Sequence, residues 1–180
     1  NMSLRLDETL EAFIYKMITN EKIMNILQLP LILETDSDEI KMKKRKLLID
    51  NYIVKSSQAP KSLSSPRKEI EIDGKKYNKY GNYSIGVNLA QSLGLSSYVF
   101  GNPEIDIFVY YDNTNMKDVF KLIDLISDCF VGQDIVLNTE DGKQMIRNIK
   151  SEGQTSQVAI INNFERIGLR FSFYASLYKI

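Results

Sequence analysis

Apolar residues recur at Leu6, Leu10, Phe13, Ile14, Met17, Ile18, Met24 and Leu27, close to a 3.6-residue period. This predicts a helix over Leu4 to Leu27. Asp7 is placed to cap it, Glu8 and Glu11 suit its positive end, and Pro30 stops it. Thr19-Asn20 marks a break that would give two shorter helices. The stripe packs into a core or docks on a neighbouring subunit, and core packing is the simpler reading. A second helix is predicted over about Asp38 to Val54, with Ile40, Leu47, Leu48, Tyr52 and Ile53 as its apolar set. The acidic cluster ETDSDE (34–39) precedes it, with Asp36 or Ser37 as cap and Asp38 and Glu39 in the first turn. The cluster lacks the glycine and the later glutamate of a calcium loop.

From Lys55 to Lys68 the chain is serine, proline and lysine with little to bury, which predicts a loop or linker. EIEID-GKKY (69–77) alternates up to Asp73-Gly74, a hairpin signal. NYSIGVNLA alternates like a strand, and QSLGLSSYVFGNP reads as a loop with a short strand at 97–100. Ile105, Ile107 and Val109 alternate with Asp106, Phe108 and Tyr110 in a further strand. Asn113 to Asn115 caps an amphipathic helix whose wide apolar face is Met116, Val119, Phe120, Leu122, Ile123, Ile126 and Phe130, and Gly132 closes it. Strands at 134–138 and 143–149 follow, joined around Glu140-Asp141-Gly142, and Ser151 to Gln154 reads as a turn. Two last strands, about 156–163 and 167–178, meet near Asn163 to Arg166. In the final one Leu169, Phe171, Phe173, Ala175 and Leu177 share one face.

The pattern is that of an α+β fold: a mainly antiparallel sheet with an amphipathic helix packed on one face, plus N-terminal helices. Residues 1–180 are read as one domain, with helices over 4–54, a basic loop and hairpin insertion over 55–103, and a strand–helix–strands core over 104–180. The length suits one domain with a sizeable core.

Composition narrows the chemistry. The chain contains no histidine, which removes Ser-His-Asp and Cys-His nucleophilic systems, the usual imidazole base and most zinc sites. No enzymatic activity, metal or cofactor is expected. The single cysteine, Cys129, excludes an intramolecular disulfide and falls on the apolar face of the amphipathic helix that Gly132 closes, as a small core hydrophobe would. No apolar run is long enough to span a bilayer, NMSLRLDETLEAF lacks a secretory-signal pattern, and no membrane partner is expected.

Charge is balanced at 23 basic and 23 acidic residues, but residues 41–79 hold twelve Lys/Arg against four acids. Such a segment is either a solvated face or a contact for a DNA backbone or an acidic partner. Lys43, Lys44, Arg45, Lys46, Lys75 and Lys76 are the candidate contacts, and Tyr77, Tyr80 and Tyr83 lie close enough in sequence to stack on bases. A nucleic-acid-binding module using 41–80 is therefore the second reading. Asp73-Gly74-Lys75 also matches the Asp-x-Lys fragment of some metal-dependent nucleases, although a turn explains it with no further assumption.

IDIFVYYDNTNMKDVFKLIDLI, a strand running straight into an amphipathic helix, and the closing strand ERIGLRFSFYASLY carry a resemblance. Together with the initial helix and strand order, they resemble the tail-terminator (tail-completion) proteins of long-tailed bacteriophages. The resemblance covers the C-terminal half and lies in the pattern of elements. It implies a virion structural protein assembled in the bacterial host, forming a hexameric ring at the head-proximal end of the tail tube. Such a ring stops tube polymerisation, meets head-completion proteins and passes DNA through its lumen. It supplies no catalytic residues to carry over. Residues 28–103 depart from the pattern, being longer and more basic, so other neck or head–tail joining components share the expectation. Within a ring, the hairpin at 69–80, the 83–103 region and the sheet edges would reach neighbouring subunits.

Overall fold

The computed structural model describes residues 6–55, 69–78, 83–89, 103–113, 118–140, 142–161 and 163–178. The linker expected over 55–68, apart from Lys55, the strand at 97–100, and Tyr80, Met116 and Asp141 lie outside the described residues, as does most of the Asn113 to Asn115 cap.

The chain is an α+β fold. Its first helical stretch is two helices, α1 (Leu6–Ile18) and α2 (Glu21–Leu27). They divide at Thr19-Asn20. The Thr19 hydroxyl donates back to the Tyr15 carbonyl at 2.8 Å, and the Asn20 side chain caps α2 by accepting from Ile23 N–H at 3.1 Å. Asp7 lies inside the first turn of α1 rather than capping it. Its carboxylate, with that of Glu11, instead grips the Lys55 ammonium, at 2.7 and 3.1 Å. Helix α3 (Asp38–Asn51) is capped by Ser37, which accepts from Ile40 N–H.

Nine strands follow among the described residues: β1 (Ile53–Val54), β2 (Glu69–Ile72), β3 (Lys75–Asn78), β4 (Tyr83–Leu89), β5 (Glu104–Asp112), β6 (Ile135–Thr139), β7 (Gly142–Gln154), β8 (Val158–Ile161) and β9 (Phe164–Tyr178). The main sheet runs β1-β4-β5-β9-β7-β6, with β8 also on β9. Every pairing is antiparallel except β1 with β4. Strands β7 and β8 run in succession along β9, forming one long hairpin that turns at Asn163. Strands β2 and β3 form a separate hairpin. Its Asp73 and Gly74 both take positive φ (51° and 75°), as a type I′ turn requires.

Directly opposed residues share a face, so the register gives the core-facing rows: Ile85–Val109–Ile167, Val87–Ile107–Leu169 and Ile105–Phe171. All are buried. The helix between β5 and β6, α4 (Val119–Phe130), packs there through Val119, Leu122, Ile123, Ile126 and Phe130. It does so together with α1, because Phe13 lies 4.9 Å from Phe130 and 5.6 Å from Phe173 between ring centroids. The core is therefore continuous from α1 to β9.

Three further expectations are corrected. The second helix stops at Asn51, and Ile53 and Val54, expected within it, form β1 because they pair with Ile85 and Gly86 of β4. Phe120 is 61% exposed. It lies about 100° from Val119 on the helix, outside the arc that faces the sheet. Ser151 to Gln154 is not a turn: β7 stays paired to β9 through Gln154, and the register shifts between Ser151 and Gly153. Gly153, at φ 105°, absorbs the bulge. The turn at Gly132 is as expected. Its φ is 73°, and its N–H donates to the Ile149 carbonyl.

Candidate interaction surfaces

The six basic residues singled out by sequence do not make one patch. Lys43, Lys44, Arg45 and Lys46 are successive residues of α3, each turned about 100° from the last, so they encircle the helix. Lys44 points inward and is excluded as a contact. It is 7% exposed and donates to Asp36 Oδ2 at 2.6 Å and to the Leu31 carbonyl at 3.0 Å. Asp36 in turn accepts from Leu33 N–H. The Lys44 ammonium and that N–H hold its carboxyl below the usual range. A cation counted as part of a basic run thus fastens the 31–36 turn to α3.

The other five are exposed and dispersed. Lys43 pairs with Glu39 one turn away, at 3.0 Å. With Lys46 it borders an open groove against β2, floored by Leu47, Ile70 and Ile72. Arg45 faces the opposite side, toward α1 and β6. Lys75 lies 5.7 Å above the Tyr77 ring and borders a different groove, against α2. Lys76 reaches Glu69 at 3.7 Å. The sequence run is a run in the chain and not in space.

A second surface is the outer strip of the β7–β8–β9 hairpin. All ten residues from Lys150 to Ala159 are exposed, so neither face of this stretch is covered, although it is backbone-paired to β9 over most of its length. In an ordinary half-buried strand, exposure alternates. Beneath the strip, Arg170 makes two parallel bonds to Asp106, at 2.8 and 2.9 Å, and Arg166 stacks 4.7 Å above the Phe108 ring. On the core side, Tyr111 donates to Glu165 at 2.9 Å and accepts from Gln157. Burial, and then the Glu165 carboxylate, pushes the Tyr111 phenol up to about 12. Sequence pattern placed Arg170 on the outward face of β9 but gave no means of seeing its partner, 64 residues away.

The third surface, a groove of about 480 Å³, runs between α1 and β6. Its helical wall carries Glu8, Glu11, Ala12, Tyr15 and Lys16 of α1, with Thr19 just beyond the helix end, and Arg45 of α3 also borders it. Sequence reasoning treated α1 only as a source of apolar residues and missed this face. Cys129 lies at the end of α4, partly buried, with its thiol toward the Lys16 carbonyl, and burial pushes that thiol up.

Among the described residues no cluster of three or more carboxylates or thiols is arranged to hold a metal, and no helix is long and apolar enough to cross a membrane. No protein-family model matches the chain, and no curated protein matches it at a significant level.

Proposed function

We propose that the protein is a structural component of a long-tailed bacteriophage virion, a tail-terminator, tail-completion or head–tail joining subunit that assembles as a ring. The observation that carries this reading is the strip from Lys150 to Ala159, where β7 and β8 run in succession along β9 with every residue exposed. A sheet of this size would ordinarily bury one face of each strand. A neighbouring subunit laid against the strip would supply the missing cover. The Ser151/Gly153 bulge and the charges of Lys150 and Glu152 interrupt any long backbone ladder there, so the contact is made mainly by side chains. The order of strand β5 followed by helix α4, and the long closing strand β9, support the same reading through the resemblance in pattern. Within a ring, Lys43, Arg45, Lys46, Lys75 and Lys76 are the cations left to meet DNA in the lumen or an acidic partner.

Mass measurement in solution, with electron microscopy of the same sample, tests the proposal directly. The expected result is a closed ring, hexameric by the resemblance, that binds the end of tubes polymerised from tail-tube protein. Substituting Gln154→Arg and Val158→Asp on the strip should dissociate it into folded monomers. A strictly monomeric species at high concentration that ignores tail tubes would end this reading.

A further inference from the structure

The groove between α1 and β6 follows the edge of a strand. It is bordered by Asp134, Ile135, Val136, Leu137 and Asn138, five consecutive residues running into and along one strand. Successive side chains of a strand point to opposite faces, so a groove that touches all five follows the backbone edge itself. This is the edge of β6 that faces away from β7, and among the described residues no strand pairs with it. Its sequence, IVLNT, has no charge, proline, glycine or bulge to discourage a further strand, whereas the β7 edge has charges and two register shifts. Ala12 sets back the facing helical wall, and Tyr15 and Val136 stand exposed at its rim, at 60% and 54%.

The groove also has a charge requirement. Glu8 Oε2 is buried without a hydrogen-bond partner. A carboxylate oxygen in that position calls for a donor, and a cationic one pairs with it best. Thr9, next to Glu8, accepts from Gln144, the β7 residue opposite Leu137, so this turn of α1 lies beside the middle of β6. β6 itself carries no cation, and in a second copy the cations bordering its groove would be Lys16 and Arg45. We propose that this groove binds an extended segment of a separate partner polypeptide. The segment adds as a strand to β6, sets apolar side chains between Tyr15 and Val136, and places an Arg or Lys against Glu8. This inference does not depend on ring formation, since a monomer would present the same groove.

Selection of a random peptide display library on the intact chain, followed by titration of a selected synthetic peptide into isotope-labelled protein, tests it. Enriched peptides should alternate apolar residues and carry a cation at a fixed offset. Their binding should perturb the amides of Tyr15, Val136 and Leu137. Glu8→Gln, which breaks no bond in the unbound structure, should weaken binding about tenfold with no loss of thermal stability. Tyr15→Asp should weaken it independently. Four outcomes would overturn the proposal: no enrichment, affinity indifferent to Glu8→Gln, perturbations confined to other surfaces, or the same perturbations appearing with protein concentration alone, which would assign the groove to a second copy.

Discussion

Lys44 shows how a residue's meaning depends on which way its helix turns it. In the sequence it is the centre of KMKKRK; in the structure it is an internal fastening whose partner, Asp36, belongs to the preceding turn. Because the Asp36 carboxyl is held below its ordinary value, the folded chain binds fewer protons there than the unfolded one. The stabilisation is complete above the unfolded value, near pH 4, and is lost as pH falls through the lower folded value. Asp36→Asn should therefore cost stability at neutral pH, with a gap from the parent that closes in acid. Urea unfolding across a pH series would show it, and a gap independent of pH would refute the assignment. Tyr111 gives the opposite dependence. Its phenol keeps its proton up to about 12, while an unfolded tyrosine loses it near 10, so its contribution is full below about pH 10 and declines above it. Tyr111→Phe should remove that alkaline decline and cost about 1–2 kcal/mol at neutral pH by breaking the bonds to Glu165 and Gln157. Neither role is legible in sequence, because both depend on a neighbour that only folding supplies.

Elements were more legible than residues, and the places where they were misread have physical causes. The 69–77 hairpin was evident because Asp-Gly between alternating runs specifies one turn type. Ser151 to Gln154 misled because glycine and small polar residues serve a bulge as well as a turn, and only the length of β9 decides between them. Helix α4 begins at Val119, and Asp118 before it makes no side-chain capping bond. At the junction of β7 and β8 the structure relies on close approach. Gly168 N–H donates to Thr155 Oγ1 at 2.8 Å, and Thr155 N–H donates to the Gly168 carbonyl at 2.8 Å. A Cβ on Gly168 would stand 2.4 Å from that Oγ1 and 3.3 Å from the Phe108 ring. Gly168→Ala is expected to destabilise by about 1–3 kcal/mol through this overpacking. Part of the loss should return in the Thr155→Ala background, as a double-mutant cycle would reveal. Strict additivity would mean that the strain lies elsewhere.

At the level of the whole molecule, the strand–helix–strands unit that stands out in the sequence is not a core by itself. Among the described residues its inner sheet rows are covered by two helices, α1 and α4, and only α4 belongs to that unit. Phe13 of α1 completes the aromatic contact that Phe130, Phe171 and Phe173 begin, and the buried bond from Gln144 to Thr9 ties the same helix to β7. The sequence pattern revealed that α1 had an apolar stripe, but not that the stripe fills the middle of the sheet, since periodicity carries no information about the surface it meets. The 104–180 segment alone would leave Phe173 and its neighbours facing water, with no replacement for α1. It should show neither a cooperative unfolding transition nor dispersed amide resonances, and should regain both when residues 1–103 are restored. In the full chain, Phe13→Ala should cost about 3–5 kcal/mol, the range for a truncated buried aromatic. A fragment that folds cooperatively without α1 would make the N-terminal helices an appendage. The basic segment they carry would then be free to vary its position, and the groove bounded by α1 and β6 would no longer be a fixed feature of the fold.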